Sequence, residues 1–156
     1  EGLDSGYEGD YKNEAECIEA SKAVYAICLN ESLSKHGQDI GTEQVINENL
    51  ANILIFSYVA DSTLSRVIQN KDFYMKKNQI VPELCAKVYT AEQGIRVMEY
   101  ANKILNNIYD GSVPEQLNNK LEVLKKRLTL STDTIGLKKI IGEKVVEAGG
   151  YPVKSF

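Results

Sequence analysis

A chain of 156 residues is one domain by length and long enough to bury a core. Its 26% charged and 43% hydrophobic content is ordinary for a globular protein. The formal charge of −4 argues against nucleic acid as a partner, and no apolar run of about 18 residues offers a transmembrane span.

Residues 1–12 read as an acidic, glycine-rich linker that opens EGLDSGYEGD. No secretory leader pattern is read; with no initiating Met, the expectation is a piece of a longer polypeptide, with a trimmed tag or a processed start as the alternatives. A helical bundle is expected over residues 13–149. Its first helix spans roughly residues 13–35, with Cys17, Ser21, Val24 and Cys28 in one row and Ile18, Tyr25 and Leu29 beside it. Glu14, Glu16 and Glu19 suit the positive end of its dipole. His36-Gly37 ends it, with Gly37 as the C-terminal cap and His36 facing solvent. Thr42 is the expected N-cap of the next helix.

That second helix, residues 46–71 with a possible extension to Met75, is the strongest signal. It contains neither Pro nor Gly. Ile46, Leu50, Ile53, Ser57, Ala60, Leu64 and Val67 recur at alternating steps of 4 and 3, one stripe along a helix of about seven turns. Such a helix needs partner helices to cover its stripe. The class is therefore all-α, an up-and-down helical bundle of four to five helices.

Pro82 suits the first turn of the third helix. Its expected stripe is Leu84, Val88, Ala91, Ile95, Met98, Asn102 and Leu105. Gly94 inside it costs up to about 1 kcal/mol relative to Ala and marks a close helix crossing. Asp110-Gly111-Ser112 closes this segment. Pro114 opens a fourth helix with Leu117, Leu121, Leu124 and Leu128 inward, and the hydroxyl-rich run LTLSTDT breaks it. Asp133 or Thr134 caps a fifth helix through Ala148, with Leu137, Ile140, Ile141 and Val145 inward. Gly149-Gly150 stops it, and residues 150–156 form an extended tail in which Pro152 restricts Tyr151.

The residues carry no chemistry of their own. A di-iron bundle needs Glu-x-x-His on two helices, and the one histidine, His36, has no Glu three residues before it. Zinc would need clustered His or Cys ligands. Neither phosphate-cradling glycine motif is present. Cys28 and His36 stand about 12 Å apart along one helix, too far for a nucleophile pair. Ser32 to Lys35 matches Ser-x-x-Lys without its companion motifs. No catalytic, cofactor-binding or metal-binding residue is assigned. Cys17, Cys28 and Cys85 fit no CxxC pair. Cys17 and Cys28 lie about 16 Å apart on one helix, which excludes a disulfide, so buried thiols in a reducing, intracellular compartment are expected. Tyr25, Tyr58, Tyr89, Tyr100 and Tyr109 are expected as core-edge rings, with an interhelical ligand pocket as the alternative.

Charge is uneven. Residues 1–19 hold seven acids and one Lys, whereas residues 113–156 hold eight bases and five acids. Lys125, Lys126, Arg127, Lys138, Lys139 and Lys144 read first as a solvated face, and second as a membrane-surface patch.

Four segments together resemble the C-terminal helical extension of acyl-CoA dehydrogenases of the very-long-chain type and similar bacterial enzymes. They are EAECIEASKAVYAICLNESLSK, NENLANILIFSYVADSTLSRVIQNK with Leu50-Ala51 and the Ala60 to Arg66 pattern, VPELCAKVYTAEQGIRVMEYANKIL, and IIGEKVVEAGGYPV. The resemblance covers residues 13–153 and is one of helix order and pattern. It implies a parent enzyme that binds FAD and oxidises fatty acyl-CoA in an upstream catalytic region. In that setting this extension packs on the catalytic body near a homodimer interface, and in mitochondrial members it is linked to membranes. The family's FGGxGY-type segment and active-site residues have no counterpart here, so the implied FAD belongs to the parent. A stand-alone helical interaction module and a helical ligand-binding protein are the alternatives.

Overall fold

A computed structural model describes residues 9–153. Helix α1 spans Lys12–His36, a 3₁₀ turn Gly37–Thr42, α2 Gln44–Gln69, α3 Lys71–Lys76, α4 Val81–Ile108, α5 Glu115–Leu128 and α6 Thr134–Ala148. Among the described residues there is no strand, and the fold is an all-α bundle. Five of these helices are the expected ones; α3 is a short addition. Helices α1, α2 and α4 pack on one another as the central three. Helix α5 lies on α1 and α4, and α6 on α4.

The expected α2 stripe is buried at all seven positions, with Asn49 and Phe56 added to it. Ile53, fully enclosed, and Leu50, Phe56 and Leu64 each contribute about 1.5–3 kcal/mol by leaving water. The α1 row is equally enclosed: Cys17, Ser21, Val24 and Cys28 have no exposed surface. On α5, Leu121, Leu124 and Leu128 are buried and Leu117 is half-buried.

Gly94 sits at a close crossing, as its place inside α4 suggests. A Cβ there would stand 2.7 Å from Cys17 Sγ, 3.1 Å from the Leu128 carbonyl oxygen and 3.7 Å from Phe56 Cζ. Only a hydrogen side chain lets α1 and the end of α5 approach α4 this closely. At the helix ends, Gly37 donates its N–H to the Leu33 carbonyl, Asp133 Oδ1 accepts from Gly136 N at 2.9 Å, and Gly149 takes φ +66° to close α6.

Several expectations are corrected. Helix α2 does not run to Met75. At Asn70 both the backbone N–H and the side-chain amide donate to the Arg66 carbonyl, and the chain restarts as α3. Thr42 does not cap α2. Its hydroxyl donates to the Asp39 carbonyl within the 3₁₀ turn, and Glu43 holds the cap position without a side-chain bond. On α4, Ile95 is 51% exposed and Asn102 is exposed, while Gly94, Val97, Ala101, Ile104 and Ile108 are buried. Leu84, Val88, Met98 and Leu105 of the expected stripe are buried, and beyond Val88 its second row shifts by one residue, from Ile95 and Asn102 to Gly94 and Ala101. Helix α6 has no buried residue, and Ile140 and Val145 are exposed where they were expected inward. Among the described residues its main contact is with α4, so its apolar face is covered only in part.

Tyr11, within the expected linker, is buried, with the Lys71 and Lys87 ammonium groups 5.8 and 5.4 Å from its ring centroid. Residues 1–8 of that linker and 154–156 of the tail lie outside the described residues. Pro152 and Val153 are half-buried.

Candidate functional sites

The bundle centre holds a small polar layer built from facing turns of α1, α2 and α4. Ser21 Oγ and Ser57 Oγ lie 2.7 Å apart, and each also reaches a carbonyl of its own helix, Ile18 at 2.6 Å and Ile53 at 2.9 Å. Two hydroxyl protons serve these three contacts. The Cys17 thiol lies 4.0 and 3.9 Å from the Thr90 and Leu128 carbonyls. Burial, and secondarily the charge of Glu14, pushes the Cys17 thiol up to about 12. Burial and then Glu31 push Cys28 to about 12 as well. These thiols are held protonated, the opposite of what a nucleophile needs. The layer is a close-packing device that joins helices.

Cys85, expected to be buried with the other two, is exposed. Ser32 is buried and donates to the Cys28 carbonyl at 2.7 Å, so the Ser-x-x-Lys match carries no free hydroxyl. His36 does not face solvent. Its side chain is 17% exposed, Nδ1 lies 3.6 Å from Glu43 Oε1, and Nε2 is buried without a hydrogen-bond partner. The packing of the 3₁₀ turn back against α1 encloses it. Among the described residues no three His, Cys, Asp or Glu side chains are grouped to hold a metal ion.

Of the tyrosines, Tyr25, Tyr89, Tyr100 and Tyr109 are half-buried, as core-edge rings should be. Phe56 stacks on Tyr89 with centroids 6.0 Å apart. Tyr109 donates its hydroxyl to Glu31 Oε2 at 2.5 Å, tying the end of α4 to α1, and this bond to a carboxylate raises its pKa. Tyr58 departs from the pattern at 72% exposed.

Several of the singled-out bases are engaged with acids. Lys125 pairs with Glu122 at 3.1 Å, Lys138 with Glu92 at 2.6 Å and Lys144 with Glu147 at 2.8 Å. The Lys138 hydrogen bond holds the Glu92 carboxyl below its usual range. No helix among the described residues is long and apolar enough to cross a membrane.

Two surface cavities stand out. One, of about 400 Å³, lies at the α2–α3–α4 end and is lined by Tyr11, Val67, Tyr74, Met75, Ile80 and the Lys71 stem among others. Two of its charged groups are paired, since Lys71 binds Asp10 at 2.6 Å, which lowers the Asp10 pKa, and Glu83 binds Lys87 at 2.8 Å, whereas the Gln79 side-chain oxygen in its lining is buried without a hydrogen-bond partner. The other, about 480 Å³, flanks the start of α2 beside Lys103 and Asn107. No glycine lines either cavity.

The feature missed in the sequence lies on the outside of α2. Ala51, Leu54, Ile55 and Tyr58 are exposed at i, i+3, i+4 and i+7, Leu54 by 49% and Ile55 by 57%. The signal was present, since these residues keep helical spacing opposite the inner stripe. No family model matches the chain, and no curated protein matches it.

Proposed function

We propose that the chain is a non-catalytic helical domain of an acyl-CoA dehydrogenase-like flavoenzyme, serving packing and assembly of its parent. The carrying observation is how the polar and apolar groups are distributed. Ser21, Ser57 and Cys17 are spent on contacts between helices and Ser32 on a bond within α1, while apolar side chains on α2 and α6 remain exposed for a partner. The parent's identity rests on the four resembling segments, which fall on α1, α2, α4 and α6. Under this reading FAD and acyl-CoA are handled upstream, and the partner is the catalytic region of the same polypeptide. Docking to membranes is the weaker variant, because Lys125, Lys138 and Lys144 are already paired with acids.

The second reading, a helical interaction module outside this enzyme class, draws on the exposed Leu54, Ile55 and Tyr58 of α2 alone. The deciding experiment incubates purified chain with FAD, a long-chain acyl-CoA and a dye acceptor. No dye reduction is expected. Turnover above the protein-free blank overturns the non-catalytic reading.

A further inference from the structure

The geometry points to the cavity between α2, α3 and the start of α4 as a binding site for a small, neutral, largely apolar molecule that ends in a hydroxyl, by chemical class a medium-chain alcohol. The inference stands on this cavity and not on the flavoenzyme reading.

At about 400 Å³ the cavity is of small-molecule size. Val67 and Tyr74 are buried in its wall, while Met75 and Ile80, 69% and 45% exposed, stand toward solvent. The loop after α3 brings a polar group to these apolar walls. Asn78 takes φ +51°, and its N–H donates to the Met75 carbonyl at 3.1 Å. The next N–H, that of Gln79, donates to the Tyr74 carbonyl at 2.8 Å. This left-handed closure of α3 fixes the Gln79 backbone beside the cavity. Gln79 is part of the lining, and its side-chain oxygen is buried without a hydrogen-bond partner. An acceptor withdrawn from water with no donor is unfavourable, so a guest that donates to it gains more than it would from an acceptor already served. The last torsion of a glutamine side chain is soft, and a small turn of the amide presents the oxygen to such a guest.

The neighbouring charges select a neutral guest. Lys71 is bound to Asp10 at 2.6 Å and Glu83 to Lys87 at 2.8 Å, positive and negative groups matched in pairs. An ionic guest would have to break one of these pairs or lose its hydration without compensation. A carboxylate would also set an acceptor against the Gln79 acceptor. A pure hydrocarbon would leave that acceptor as it is. A hydroxyl supplies the missing donor, and the apolar walls with the adaptable Met75 side chain take the rest of the molecule. One hydrogen bond and partial enclosure of a short chain give a Kd on the order of 0.1–1 mM.

Amide NMR shifts of the isotope-labelled full chain, titrated separately with octanol, octyl methyl ether and octanoate, test this. Octanol is expected to give saturable shifts centred on Val67, Tyr74, Met75, Gln79 and Ile80. The ether cannot donate and octanoate carries a charge, so each is expected to bind about tenfold more weakly. Gln79→Leu keeps the backbone bond to Tyr74 and removes the acceptor. It is expected to retain the helical circular dichroism and to bind octanol and the ether within about twofold of each other. Gln79→Met, unbranched like glutamine, is expected to do the same. Octanol that gives no saturable shift overturns the proposal. Shifts centred instead on the exposed Leu54, Ile55 and Tyr58 overturn it as well, since they report adventitious apolar contact. Equal binding of octanol and the ether by the unaltered chain, or an alcohol preference that survives both variants, overturns it equally. None of these results bears on dye reduction, so the proposed function stands or falls separately.

Discussion

Replacing Gly94 by Ala sets two opposing effects against each other with known geometry. In an exposed helix the change would stabilise by up to about 1 kcal/mol, because Ala loses less backbone entropy and has the higher helix propensity. Here the new methyl carbon would meet Cys17 Sγ at 2.7 Å and the Leu128 carbonyl oxygen at 3.1 Å. Cys17 has no exposed surface and a side chain too short to swing aside, and the carbonyl belongs to the last residue of α5. Relief therefore requires α1 or α5 to move off α4. Overpacking of that kind costs about 1–3 kcal/mol, so the net expectation is a loss of about 1–2 kcal/mol. For a chain of this size that lowers the thermal midpoint by about 2–8 °C. Urea unfolding followed by circular dichroism measures it, with Cys17→Ala and the double variant completing a cycle. Removing the sulfur takes away the nearest clash, so the double variant should be more stable than the sum of the singles by about 1 kcal/mol. A Gly94→Ala chain more stable than the parent would refute the close crossing.

Two further outcomes follow from the thiols. An aromatic disulfide reagent should titrate one thiol, Cys85, in the native chain and three in denaturant; rapid reaction of a second native thiol would contradict the burial of Cys17 and Cys28. Both buried thiols are raised from 9.0 to about 12 in the fold, so the unfolded chain ionises first. Their contribution to stability is full below about pH 9 and is lost as pH climbs toward about 12, with Tyr109 acting in the same direction. Urea midpoints at pH 8 and at higher pH should fall accordingly, and the Cys17→Ala/Cys28→Ala chain should fall less; equal slopes would sink this linkage.

Much of the bundle was legible where one face of a helix meets the core along its whole length. The α1 row and α2 stripe are of that kind, and spacing alone located them. On α4 the row through Leu84, Met98 and Leu105 held, but beyond Val88 the second row moved from Ile95 and Asn102 to Gly94 and Ala101, where α1 and the end of α5 press on Gly94. Thr42 looked like a cap until the 3₁₀ turn claimed its hydroxyl, a competition between two local bonds that composition does not rank. Tyr11 and His36 owe their burial to chain segments folding back over them, which no local pattern encodes. The second stripe on α2 was readable as spacing. What spacing does not reveal is that, among the described residues, no helix covers it. Helix α6 teaches the same lesson in reverse: Ile140 and Val145 have core-like spacing, yet only one helix is there to receive them.

The central claim is that this bundle is built to pack against protein and not to bind FAD or acyl-CoA. Thermal unfolding of the purified chain with and without each ligand tests that most directly. A ligand at about 100 times its Kd would add about 2.7 kcal/mol, a rise of roughly 5–10 °C in the midpoint for a chain of this size. The account predicts a midpoint unchanged by either FAD or a long-chain acyl-CoA at millimolar concentration. A saturable rise of several degrees with either one would contradict it.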